Sequence, residues 1–147
     1  SSVYRNGRRL IAVGSGFKTK NDRSKESAKL LTWGLANFDL VEIAKSNTII
    51  ENAEVWLGKK DSVSVYTKED IYKTIPRRKK KFLKVSINYN GPIKAPIRKD
   101  DIIGKLIVNY KNKLIGEYDL LAFEGVKKIN VFSRLLKNIN FLIWGDV

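Results

Sequence analysis

From Val41 onward the chain breaks into short segments whose apolar residues fall at every second position, each closed by a turn signal. Glu54-Val55-Trp56-Leu57 ends at Gly58-Lys59-Lys60-Asp61, and Ser62 to Thr67 alternates through Val63 and Val65. Ile71, Lys73 and Ile75 carry the pattern to Pro76, and Phe82 to Tyr89 is stopped by Asn90-Gly91-Pro92. Ile102 to Tyr110 and Lys113 to Phe123 flank Lys111-Asn112, the pattern of a hairpin. Side chains alternate between the two faces of a strand, so this period fits half-buried strands and not helices. Several such segments at intervals of about eight to twelve residues predict a small antiparallel β-sandwich. At roughly 80 residues it is large enough to fold, with a modest core.

The first forty residues read differently. Asn6-Gly7 predicts a tight turn, Leu10-Ile11-Ala12-Val13 a short buried strand, and Gly14-Ser15-Gly16 its end. Ser24 is the expected cap of a helix carrying Ala28, Leu31, Leu35 and Phe38 at spacings of three and four. The expected units are therefore 1–40, 41–125 and 126–147.

The last unit, Val126 to Trp144, has the cleanest helical period in the chain. At 100° per residue, Ile129, Phe132, Leu135, Leu136, Ile139, Leu142 and Ile143 share one half of the wheel. Asn130, Ser133, Arg134, Lys137, Asn138 and Asn140 occupy the other, and Phe141 and Trp144 widen the apolar surface at the end. Such a helix suits a membrane interface, its own core or a partner. No stretch approaches the roughly eighteen apolar residues of a spanning helix.

The formal net charge is +14, with pI near 10, which points to an anionic partner: nucleic acid, acidic lipid or an anionic polymer. The densest charge is Arg77-Arg78-Lys79-Lys80-Lys81, with Lys84 close behind. After Pro76 and before a strand, it belongs on an exposed connection that meets phosphate or lipid headgroups, or simply solvent. The chain lacks interleaved stacking aromatics, zinc knuckles and a helix-turn-helix pattern, which disfavours nucleic acid. With no cysteine and no histidine in 147 residues, thiol nucleophiles, Ser-His-Asp triads and Cys- or His-ligated metals are excluded. No cofactor and no metal ligand set is expected. Ser15-Gly16-Phe17-Lys18 and Ser86-Ile87-Asn88 spell Ser-x-x-Lys and Ser-x-Asn. The first lies in a glycine loop and the second mid-strand, where the required serine at a helix start is missing. Both are coincidences, and no catalytic residue is assigned.

A longer set of blocks is specific. Arg5-Asn6-Gly7-Arg8-Arg9-Leu10-Ile11-Ala12-Val13, Arg23-x-x-Glu26 and Leu30-Leu31-Thr32-Trp33-Gly34-Leu35 resemble the end of the peptidase domain of D-alanyl-D-alanine carboxypeptidases, the low-molecular-mass penicillin-binding proteins. Val55 to Lys59, Asp70 to Arg77, Lys94-Ala95-Pro96-Ile97 and Ile103-Gly104-Lys105-Leu106 resemble their all-β C-terminal domain. One departure is Asp100-Asp101, where the family carries a glycine in the turn before Ile102.

The resemblance implies a mainly β fold: a strand–helix remnant of a peptidase domain, a β stalk, then an amphipathic anchor helix. It implies that the catalytic serine, lysine and Lys-Thr-Gly precede Ser1, so this portion is inert. Arg23 would then meet the substrate's terminal carboxylate in the parent enzyme, or else pair with Glu26. The implied setting is the periplasm, on the outer face of the cytoplasmic membrane, with peptidoglycan reached through the peptidase domain. Ile129, Phe132, Leu135, Leu136, Ile139, Leu142, Ile143 and Trp144 would contact lipid, while Lys127, Arg134 and Lys137 meet anionic headgroups. The face of the first helix, Leu31, Leu35 and Phe38, is expected to pack on the β unit or on a second copy in a homodimer. The alternative reading is a basic binding module for nucleic acid or a partner protein.

Overall fold

The computed structural model describes residues 1–5 and 7–130. β1 (Ser2–Arg5) and β2 (Arg8–Ile11) form the expected hairpin, with Gly7 at φ +72, a conformation open to glycine at little cost. β2 spans Arg8–Ile11 instead of Leu10–Val13, because its register follows the turn. α1 (Lys20–Asn37) begins earlier than expected. Its cap is Thr19, not Ser24: the Thr19 hydroxyl accepts from the Asp22 amide at 3.0 Å and donates to the Asp22 carboxylate at 2.8 Å. The helix rests on β2 with Gly34 against Leu10, where a Cβ would come within 2.5 Å of Leu10 Cδ2. Leu31 and Leu35 are half-buried, while Leu30 and Trp33 are 49% and 55% exposed, so the apolar face is only partly covered.

The β unit starts directly at the helix end. Its strands are β3 (Phe38–Ala44), β4 (Ile49–Trp56), β5 (Ser62–Tyr66), β6 (Ile71–Pro76), β7 (Leu83–Asn88), β8 (Ile93–Lys94), β9 (Ile102–Tyr110) and β10 (Lys113–Ala122). A 3-10 helix, Arg77–Phe82, links β6 to β7. Six strands form one sheet in the order β7-β9-β10-β5-β4-β8, and β3 pairs with β6 in a separate ribbon. All pairs are antiparallel except β4 with the two-residue β8, which is parallel. The expected sandwich is thus a large sheet with a two-stranded second layer. The layers are tied by Lys73, whose ammonium donates to the Ile115 carbonyl at 2.8 Å and lies 5.3 Å from the Tyr118 ring centre.

The inward positions of the alternating segments make one core. Val63, Val65, Leu106, Leu120 and Ala122 are buried, joined by Ile71 from the ribbon and Val126 from beyond β10. Asp100 stands at φ +69, where glycine is at ease. Its carboxylate accepts from the Tyr66 hydroxyl at 2.6 Å, and its amide donates to the Ala122 carbonyl at 2.8 Å. Asp100 therefore holds the turn before Ile102 by its amide and adds a side-chain tie to Tyr66. That bond also raises the Tyr66 phenol above its ordinary pKa.

At the other loop, Asp70 accepts from the Ser46 amide at 2.8 Å, which lowers its pKa below the usual carboxylate range. A lowered folded value contributes stability that is present above the unfolded pKa and lost as pH falls through the folded one. Asp70→Asn is expected to flatten the acid side of the stability–pH curve, with little change in that slope near neutrality. Urea midpoints measured from pH 7 down to pH 3 check this, and an unchanged acid slope would count against the contact.

Candidate functional site

Arg23 lies in the first part of α1, exposed, and its side chain has no charged partner among the described residues. The expected pair with Glu26 does not form, since Glu26 holds Lys29 at 2.7 Å. Around Arg23 the loop Gly14-Ser15-Gly16 with Lys18 and Lys20 forms an open, cationic concavity of about 410 Å³. Ser15 and Lys18 are exposed and precede the helix, so the Ser-x-x-Lys spelling has no helical frame to align it. Ser86 is likewise an exposed position in β7.

The strongest geometry is at the junction of the two units. A helix leaves its last carbonyls unpaired and carries partial negative charge there. The last turn of α1 contains no basic residue. Two arginines from outside supply what is missing. Arg8 of β2 donates to the Phe38 carbonyl at 2.9 Å and to the Gly34 carbonyl at 3.3 Å. Arg77, from the 3-10 helix of the β unit, donates to the Leu35 carbonyl at 3.3 Å and to Asp39 at 3.0 Å. Lys80 adds a contact to Asp39 at 3.8 Å. Trp33 meets Phe38 edge-on, with centroids 5.4 Å apart. A cavity of about 420 Å³ remains between Arg5, Arg8, Leu35, Asp39 and Arg77. This arginine clamp joins the end of the helix to the β unit. It had no local pattern in the sequence, where Arg77 read only as the start of a basic run.

The other end of the β unit holds the way out. Val126 and Ile97 exchange backbone hydrogen bonds at 2.8 and 2.9 Å, the Lys59 amide donates to the Lys127 carbonyl, and the Ile129 amide donates to the Leu57 carbonyl. Lys128 bridges Gly58. Val126 to Ile129 is therefore docked extended chain, and the helix expected from Val126 does not begin there. Hydrogen bonds to Leu57 and Lys59 and burial of Val126 outweigh the local helical spacing. Lys127 remains exposed and Ile129 half-buried. Phe132, Arg134, Leu135, Leu136, Lys137, Ile139, Leu142, Ile143 and Trp144 lie outside the described residues. Among the described residues no helix is long and apolar enough to cross a membrane.

Strand register sets these two regions at opposite ends. Tyr110 pairs with both Lys113 and Leu83 at one end of the sheet, and Leu121 pairs with Ile102 and Tyr66 at the other. Phe38 pairs with Pro76 at the first end, and the chain leaves past the second. β10 alone separates them by about 30 Å, at roughly 3.3 Å per residue.

Comparison with known proteins agrees with this division. Residues 38–128 match the model of "Penicillin-binding protein 5, C-terminal domain", and the match begins where β3 does. The D-alanyl-D-alanine carboxypeptidase DacD of Salmonella typhimurium is 32% identical over 129 residues, covering 87% of this chain and 33% of that protein. DacA of Escherichia coli is 32% identical over 135 residues, covering 91% of this chain and 34% of that protein. The chain thus spans about a third of the length of the curated relatives it matches. The crystal structure of penicillin binding protein 5 from Haemophilus influenzae superposes with a TM-score of 0.65 at 31% identity, over 75% of this chain and 32% of that one. A β unit that starts at Phe38, closes with Val126 and matches over the same span places the chain in the family of the penicillin-binding protein 5 C-terminal domain.

Proposed function

We propose that this chain is the stalk and membrane-attachment part of a serine-type D-alanyl-D-alanine carboxypeptidase that trims peptidoglycan stem peptides. Its relatives carry that enzyme's name. The observation that carries the reading is the polarity of the β unit. The peptidase-side helix is clamped by Arg8 and Arg77 at one end, and the C-terminal segment departs past Gly58 at the other. A rigid sheet between two such connections acts as a spacer, here on the order of 30 Å along β10.

In this reading the acyl-serine chemistry belongs to the parent's peptidase domain, and the chain itself is inert. Arg23, exposed and without a charged partner among the described residues, serves there as the group that meets the substrate carboxylate. The segment after Ile129 holds the protein to the outer face of the cytoplasmic membrane from the periplasm. Its sequence places Phe132, Leu135, Leu136, Ile139, Leu142, Ile143 and Trp144 toward lipid, with Arg134 and Lys137 toward anionic headgroups. The sheet holds the 126–129 backbone, so attachment starts after the stalk ends and not inside it.

Sedimentation with vesicles containing anionic lipid tests the assignment. The whole chain is expected to pellet with them, and deletion of residues 131–147 to lower the retained fraction about tenfold or more. Equal retention of the truncated chain, or none of the full one, would overturn the reading.

A further inference from the structure

The basic run seen in the sequence is only half of a larger surface. The turn between β9 and β10, with Lys111 and Asn112 at φ +50 and +61, folds beside the 3-10 helix. The Lys111 amide donates to the Phe82 carbonyl at 3.1 Å. Leu83, Tyr110 and Lys113 stand in one row across three strands. Arg78, Lys79, Lys81 and Lys84 thereby share one end of the sheet with Lys111 and Lys113, and all of them are exposed.

What sets these six cations apart is their clustering at one end of the sheet, with no carboxylate paired among them. Lys29, Lys60 and Lys105 have carboxylate partners, as do Arg77 and Lys80 through Asp39. Among the described residues, no ion pair involves Arg78, Lys79, Lys81, Lys84, Lys111 or Lys113. At their centre is Phe82, 40% exposed, with the Lys81 and Lys111 ammonium groups 5.4 and 5.9 Å from its ring centre. A ring bordered by fixed positive charge suits a ligand that alternates apolar faces with anionic groups.

We propose that this end of the β unit binds peptidoglycan strands through the carboxylates of their stem peptides, with Phe82 under an apolar sugar or methyl face. The proposal rests on the stalk reading, which supplies both the neighbourhood and the argument against lipid. The surface shares its end of the sheet with α1 and stands opposite the departing C-terminal segment. With residues 131–147 at the membrane it is held on the order of 30 Å above the headgroups, several times the Debye length of about 8 Å at physiological salt. Bilayer charge is screened at that height. A glycan strand on its way to the peptidase is not, and the cations would hold it beside the helix that Arg77 clamps.

The test uses the full chain, purified insoluble peptidoglycan and anionic vesicles. Lys79→Glu with Lys81→Glu and Lys111→Glu is expected to lower retention on peptidoglycan about tenfold or more, and retention on vesicles less than twofold. The glutamine triple is expected to give an intermediate loss, and it guards against misfolding caused by the added acids. Reversal of Lys68, Lys94 and Lys99, exposed elsewhere, changes the net charge equally and is expected to leave wall binding within about twofold. Peptidoglycan with its carboxylates amidated should no longer retain the unmodified chain. Equal losses from both triples would reduce the effect to net charge. A loss on vesicles with none on the wall would make the surface a lipid site. Either result, or wall binding unaffected by the triple, overturns the proposal. Vesicle retention that survives deletion of residues 131–147 would instead remove the stalk reading, and the wall arm would still report on this surface.

Discussion

Leu120→Ala is expected to destabilise the β unit by about 2–5 kcal/mol, the usual cost of emptying a buried leucine site. Leu120 is 1% exposed, sits on β10 opposite Gly104, and belongs to the core cluster shared by the large sheet and the ribbon. Its neighbours Val63, Val65 and Leu106 are held by strand pairing, so they cannot close much of the void. A small domain has about 5–15 kcal/mol in all, so the substitution removes a large share. Urea unfolding followed by tryptophan fluorescence should show the midpoint falling by roughly 1–3 M with an unchanged m-value. Leu114→Ala, on the same strand but 52% exposed, should stay within about 0.5 kcal/mol. Similar losses for the two would mean that β10 does not carry the core on the side assigned here.

That contrast also shows where sequence reasoning was strong. Alternation identified β9 to the residue and β5, β7 and β10 to within one or two: β5, β9 and β10 send residues into the core, and β7 half-buries Leu83 and Ile87 while the rest of it is exposed. It failed where tertiary contacts replaced local pattern. The start of β3 was absorbed into the preceding helix, since Phe38 continues the apolar spacing of Leu31 and Leu35; in the fold Phe38 pairs with Pro76, and Arg8 and Arg77 donate to the Gly34, Leu35 and Phe38 carbonyls. The start of α1 was set five residues late because Lys20 to Arg23 carry no apolar period, and only the Asp22–Thr19 bonds reveal the cap. Two-residue β8 is too short to show any period. Val126 and Ile129 keep a helical spacing of three yet are docked strand. For the sites, the run 77–81 was legible as charge, but Phe82 beside it read only as the start of a strand, and Lys111 and Lys113 are brought there by chain pairing. The arginine clamp was invisible, since its ends are 69 residues apart in number, Arg8 against Arg77.

Gly58 read as a turn residue, and its larger role leads to the second expected result. A Cβ built there would come within 2.7 Å of the Lys60 carbonyl oxygen, 2.7 Å of Val55 Cγ1 and 2.8 Å of Val126 Cγ1. One of these is backbone, and the valines are 8% and 1% exposed, so none can yield cheaply. Gly58→Val is therefore expected to cost about 1–3 kcal/mol through overpacking. The strain should fall on the weaker side of the contact. Val55 lies inside β4, paired on one flank and packed in the core. Val126 belongs to a short segment held by its exchange with Ile97 and by single bonds to Lys59 and Leu57. Release of that segment relieves all of the clash with Val126 while leaving the sheet paired. Amide hydrogen exchange at Val126, Lys59 and Ile129 should accelerate by roughly ten- to a hundredfold, about 1.4–2.7 kcal/mol of local opening. Amides of β9 and β10 should follow only the global loss. Unaltered protection at Val126 and Ile129 would show that the exit segment is not seated on Gly58. If it is, a glycine is what lets the C-terminal segment leave the β unit from a fixed point, as the proposed stalk role requires.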